Sequence, residues 1–300
     1  MSARRTYDFD GFLAAYDKVM TKWPASREAL TVPTPFGATH VNVCGPADGP
    51  PLLLLPGGGS ATSASWYRQA TELSRVHRLY AVDLIGAPGR STSAPDRQAR
   101  TVADLTTWLD ALLKGLGLAE TDLGGHSYGA WIALHYALRA PHRVRHLVLF
   151  DPTQCFAALK SSYGAHALRM LVRPTPRRVR NFLEWETGGA PLDPDWLALQ
   201  EAAAGFPSLR PVVGPRPRPK ALRRLNLPVL LLLAENSRTH NPAKVAAAAE
   251  TLLPRVTTTT LPHVSHHALP HAAPPESSQL ITDFLTGPAD SAPPTPTPPS

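Results

Sequence analysis

Gly125-His126-Ser127-Tyr128-Gly129 is the stretch whose residue types and spacing point most directly to chemistry. A serine hydroxyl becomes a nucleophile when the backbone projects it away from neighbouring groups and a base stands beside it. Glycines two positions to either side permit the tight turn that does this, because a larger side chain would collide with the returning chain. A short strand-like run, Thr121 to Leu123, precedes the pentapeptide, and AWIALHYALR follows with helical apolar spacing. The pattern therefore reads as a strand-to-helix turn with Ser127 at the helix N-terminus, where unpaired N–H groups favour developing negative charge. A glycine-rich turn holding an incidental serine is the bland alternative, and the flanking elements argue against it.

A second feature fits the same chemistry. Leu52 to Leu55 ends in Pro56-Gly57-Gly58-Gly59-Ser60. Acyl transfer needs two preorganised N–H donors aimed at the oxygen of a tetrahedral intermediate. The N–H groups of Gly58 and Tyr128 are the pair expected here, although three glycines would also let the chain turn without any such role.

Positioning these residues requires a regular scaffold. Continuous apolar runs at Pro51–Leu55, Arg78–Val82, Arg145–Phe150 and Pro228–Leu233 read as strands buried on both faces. Thr39 to Cys44 alternates like a half-buried strand, and Val256 to Leu261 is rich in β-branched residues. Helical spacing connects them, notably over Thr101–Leu116 and the stretch after Ser127. The alternation predicts an α/β protein with a mostly parallel twisted sheet and helices on both faces. Residues 1–30 read as an N-terminal helical segment, 31–151 and 225–286 as two parts of one core, and 287–300 as a disordered proline-rich tail. Between the core parts, residues 152–224 carry prolines and short helical patterns but no strand, and predict a helical cap over the carboxyl edge of the sheet, where ligands bind in open α/β folds.

LLLLPGGG, DLIGAPGRS, GGHSYG and RHLVLFDP together resemble motifs of the α/β-hydrolase superfamily over roughly residues 35 to 286. The closer resemblance is to bacterial carboxylesterase-like serine hydrolases with an inserted cap. It implies a triad in the chain order serine, acid, histidine. TLPHVSHHALP supplies the base. Counting forward from Pro262 selects His266; counting back from the closing helix selects His267, which is preferred because packed helices vary less in length than loops. His263 and His271 read as ordinary surface histidines. Ser237 occupies the position where relatives carry the acid, and a hydroxyl cannot supply the negative charge. Asp151, ending the strand after the nucleophile helix, is preferred as the acid, with Glu235 as the alternate and an enzyme without an acid as a third option. The resemblance then implies attack by Ser127 on an acyl carbonyl with no metal or organic cofactor.

Composition bounds the alternatives. Charged residues are 18% and hydrophobic residues 43% of 300, as in ordinary globular proteins, and no apolar stretch approaches the roughly 20 residues that span a bilayer. The N-terminus lacks a signal-like apolar core, and Cys44 and Cys155 form no disulfide framework, so a cytoplasmic protein with a small-molecule ester substrate and neither nucleic-acid nor membrane partner is expected. The net charge of +7 is spread over scattered arginines; the basic run from Arg173 to Arg180 reads as a solvated face. Carbon–carbon hydrolase, perhydrolase or lyase chemistry on the same fold, and a degenerate ligand-binding homologue, are the rival readings.

Overall fold

The computed structural model describes residues 7–172 and 174–287. The expected proline-rich tail lies outside the described residues apart from Gly287. The elements run, in order, α1 (Phe9–Met20), β1 (Glu28–Thr34), β2 (Gly37–Cys44), β3 (Pro51–Leu55), α2 (Tyr67–Leu73), β4 (Arg78–Val82), β5 (Thr92–Ser93), α3 (Val102–Gly115), β6 (Thr121–His126), α4 (Tyr128–Arg139) and β7 (Val144–Phe150). After them come α5 (Ser161–Leu171), α6 (Pro176–Glu186), α7 (Pro194–Ala202), α8 (Pro219–Leu222), β8 (Val229–Ala234), α9 (Pro242–Leu252), β9 (Val256–Leu261), α10 (Leu269–Ala272) and α11 (Glu276–Thr286).

The sheet has the order β1-β2-β4-β3-β6-β7-β8-β9, and β5 adds to β2. From β4 through β9 the pairs are parallel, and β1, β2 and β5 form the antiparallel end. This is the mixed, mostly parallel sheet that the apolar runs imply. Their lack of alternation has a direct cause. Leu53 and Leu55 pack into one core layer with Trp108, Leu109 and Ala133, while Leu52 and Leu54 pack into the opposite layer with Phe12, Trp66 and Leu73. Leu230 to Leu233 divide between the two layers in the same way. Each such leucine contributes about 2 kcal/mol by leaving water.

β1 and β5 escape the sequence reading. β1 is an edge strand interrupted by Pro33, only Val32 of it is buried, and its start at Glu28 falls inside the segment assigned to the N-terminal helix. Edge strands tolerate proline and carry little apolar signal. The stretch between β7 and β8 holds α5 to α8. Val179, Phe182, Leu183, Trp196 and Leu197 form its own small core, against which Tyr163 and Trp185 pack, whereas Phe156 joins the main core. α1 is tied to this stretch rather than lying apart: Tyr7 Oη donates to the Ala202 carbonyl at 2.7 Å, and Lys22 pairs with Asp193 and Asp195. In the basic run, Arg180 forks onto Glu201 at the surface.

Candidate active site

Ser127 sits between β6 and α4 with φ 53° and ψ −113°, a left-handed conformation that costs a non-glycine residue on the order of 1–3 kcal/mol. The neighbouring glycines are sterically required. A Cβ on Gly125 would fall 2.5 Å from the Gly129 carbonyl, and one on Gly129 would fall 2.3 Å from the Pro56 oxygen. The turn is pinned by the Ser127 N–H, which donates to the Phe150 carbonyl at 2.9 Å, and by Trp131 N–H, which donates back to Ser127 O. The hydroxyl consequently stands at the carboxyl end of a central strand.

Two further strand ends bring the partners. His266 Nε2 lies 2.9 Å from Ser127 Oγ, and His266 Nδ1 lies 2.6 Å from Asp151 Oδ2. Asp151 follows β7 directly, itself at φ 42°. Its Oδ1 accepts from Ala234 N–H at 3.1 Å and its Oδ2 from Ser237 Oγ at 2.9 Å. Burial alone would raise this carboxyl, but contacts with His240 and His266 outweigh it and hold it far below the usual carboxylate range. Asp151 is thus a charged group with no exposed surface, compensated on every side.

This arrangement departs from the expectation at His267 and His271 and leaves the alternate Glu235 outside it. His266, not His267, contacts Ser127. His267 turns instead toward Tyr163, whose hydroxyl is 3.1 Å from His267 Nε2 and whose ring stacks on it. His266 and His267 are adjacent on one loop before α10 and reach different partners, so distance from α11 does not separate them. Glu235 is not near the base; its carboxylate accepts from the His263 N–H at 2.8 Å at the surface. Ser237, which stands where the resemblance placed the acid, donates its hydroxyl to Asp151. His263 is exposed as expected, but His271 is buried against Trp196.

The glycine loop lies against the elbow. A Cβ on Gly57 would meet His126 Nδ1 at 2.8 Å, and one on Gly58 would meet Tyr128 Cβ at 3.3 Å. Tyr128 opens α4, so its N–H has no partner within the helix. A cavity beside Ser127 is lined by Gly57, Gly58, Trp66, Trp196, Gln200 and His267, so the aromatic Trp196 serves the inserted helices' core and the cavity wall alike. His126, one residue before Ser127, donates its Nε2–H to the His266 carbonyl at 2.9 Å. Burial, then the neighbouring His266, pushes the His126 ring well below its ordinary value, so it stays neutral. Two groups went unread in the sequence: His240, whose Nε2 is 3.3 Å from Asp151 Oδ1, and Glu186, beneath the base loop. Neither lies in a motif, and nothing in local spacing marks them.

Asp151, His240 and His266 present donor atoms within 4.8 Å of one another, as a metal site would. Asp151 and His266 already spend those atoms on the hydrogen-bonded chain to Ser127, which accounts for their proximity.

A family model described as the α/β hydrolase fold matches residues 50–187. Carboxylesterase YbfK of Bacillus subtilis (strain 168) is 31% identical over 254 residues, covering 82% of this chain and 83% of that protein. The crystal structure of carboxylesterase CesB (YbfK) from Bacillus subtilis aligns over 92% of this chain and 97% of its own, with a TM-score of 0.84 at 29% identity. That of naproxen esterase (carboxylesterase NP) from Bacillus subtilis aligns over 92% and 98%, with a TM-score of 0.84 at 25% identity.

Proposed function

This chain belongs to the α/β hydrolase fold family, and we propose that it hydrolyses carboxylic esters through an acyl-enzyme on Ser127. The observation that carries the reading is the continuous chain from Ser127 Oγ through His266 to Asp151, with both hydrogen bonds at 2.9 Å or shorter. Asp151 holds the proton on Nδ1, which leaves Nε2 free to take the proton of the serine hydroxyl. The Ser127 oxygen then bonds to the acyl carbon, and the carbonyl electrons move onto oxygen. Gly58 and Tyr128 N–H groups stabilise that oxyanion. His266 returns the proton to the leaving alcohol, and water repeats the cycle to free the acid. The similarity to two carboxylesterases supports the ester as the bond cleaved.

The helices between β7 and β8 act as a cap in this reading, since Trp196 and Gln200 of α7 line the cavity at Ser127. Its largely apolar wall suits a hydrocarbon acyl or alcohol group. A small molecule is the substrate, and among the described residues no helix is long and apolar enough to cross a membrane. Two buried, unpaired cysteines, Cys44 and Cys155, support a reducing compartment such as the cytoplasm.

Hydrolysis of p-nitrophenyl esters tests the proposal. The wild type is expected to turn over short-chain esters, and Ser127→Ala is expected to lose at least about a thousandfold in kcat. Undiminished turnover by Ser127→Ala would remove the reading.

A further inference from the structure

Glu186 closes α6, within the helices inserted between β7 and β8, and is completely buried. Its carboxylate reaches the base loop. Oε1 accepts from His266 N–H at 3.1 Å, and Oε2 accepts from His267 N–H at 3.2 Å and from Ser265 Oγ at 2.9 Å. A carboxylate offers about four lone-pair sites, and donors of one tripeptide occupy most of them. Consecutive main-chain N–H groups bound by one acidic group fix the backbone on which the base is carried. A buried carboxylate is costly to maintain unless its charge is used or compensated, and an apolar residue would fill the same volume at lower cost.

We propose that Glu186 is a positioning residue for His266: it anchors the base's main chain to the inserted helices and its negative charge stabilises the imidazolium formed when Ser127 is deprotonated. The proposal rests on the reading of Ser127 and His266 as a catalytic pair. It gives the inserted helices a second part, because moving α6 would move His266. Burial raises the Glu186 carboxyl above its ordinary value, while positive charge on His266 and the three hydrogen bonds draw it back, so the two groups feel each other electrostatically.

Kinetics against pH separate this from a purely structural clip. His266 is faced also by Asp151 at the end of β7, His240 after β8, His126 at the end of β6, Tyr163 on α5 and the adjacent His267. None of these changes in Glu186→Gln, so a displaced acid limb reads Glu186. Removing the negative charge makes His266 less basic, and a less basic histidine remains the free base at lower pH. Glu186→Gln is therefore expected to lower kcat about tenfold with KM within about twofold. The acid limb of its kcat/KM profile should move down by about half a pH unit or more. Glu186→Asp, which retains the charge on a shorter arm, should lower kcat and leave the limb where it is in the wild type.

Wild-type kcat with a wild-type limb in Glu186→Gln overturns the proposal, and so does a lowered kcat with an unmoved limb. If near-UV circular dichroism shows that Glu186→Gln does not fold, Glu186→Asp decides: lower kcat supports the proposal and wild-type kcat overturns it. Wild-type enzyme that hydrolyses no ester and reacts with no fluorophosphonate overturns the catalytic reading and this proposal together. Active wild type whose variants match it overturns the Glu186 assignment alone.

Discussion

A histidine accepts a serine proton only if one ring nitrogen is empty and the other is held as N–H, and Asp151 decides which is which. Asp151→Asn preserves the shape at β7 but its amide can present N–H to His266 Nδ1, which forces the proton onto the nitrogen facing Ser127. Turnover should fall by roughly 10⁴ while circular dichroism stays unchanged; a loss below tenfold would move the acid elsewhere. The two neighbouring histidines separate as cleanly. His266→Ala should cost at least about a thousandfold in kcat, and His267→Ala, whose ring meets Tyr163 at the cavity wall, should act mainly on KM. Equal losses in kcat would contradict the geometry. At this scale the sequence singles out Ser127 and favours Asp151 over Glu235, because each sits at a strand end with a recognisable neighbourhood. Choosing between His266 and His267 needs the three-dimensional path of the loop after β9, since adjacent side chains on a loop point in unrelated directions. Glu186 and His240 come from segments distant in the chain, and only the fold makes them neighbours of the base.

Among the elements, the turn from β6 to α4 is held under close steric constraint. Gly129→Ala would drive a methyl group into the Leu55 and Pro56 carbonyl oxygens, both backbone atoms that cannot move aside. Destabilisation of at least about 3 kcal/mol is expected, measured by denaturant unfolding, together with loss of activity. A fully stable Gly129→Ala variant would mean that the start of α4 and the end of β3 do not approach as described. The parallel strands β3, β7 and β8 are readable from their sequences because burial makes them continuously apolar, and β9 from its β-branched residues. β1 and β5 are not, since an edge strand with half its side chains in water carries no such signature. The helices between β7 and β8 are legible as short helical patterns in a stretch without strand-like runs. Their attachment to α1 through Tyr7, Lys22 and Phe206 is a tertiary outcome without a local cue.

Over the whole molecule, buried histidines set the response to acid. Burial holds His126 well below its ordinary value and lowers His271 to about 3. The unfolded chain binds protons at these positions near pH 6.5, and the folded chain does not until far lower pH. The unfolded state therefore binds more protons throughout that window, and stability is greatest above pH 6.5 and falls as pH drops toward about 3. The Asp151 carboxylate, with its pKa depressed, adds a further loss only below its ordinary range near pH 4. Melting temperature is expected to drop by roughly 5 °C or more between pH 8 and pH 5, and a flat profile over that interval would contradict the neutral burial of these rings. The central claim, that Ser127 is a nucleophile activated by His266, is tested most directly by peptide mapping after reaction with a fluorophosphonate. One phosphonylated peptide carrying the adduct on Ser127 is expected in the wild type and in His267→Ala, and almost none in His266→Ala. An adduct on another residue, or Ser127 labelling that survives His266→Ala at the wild-type rate, would contradict it.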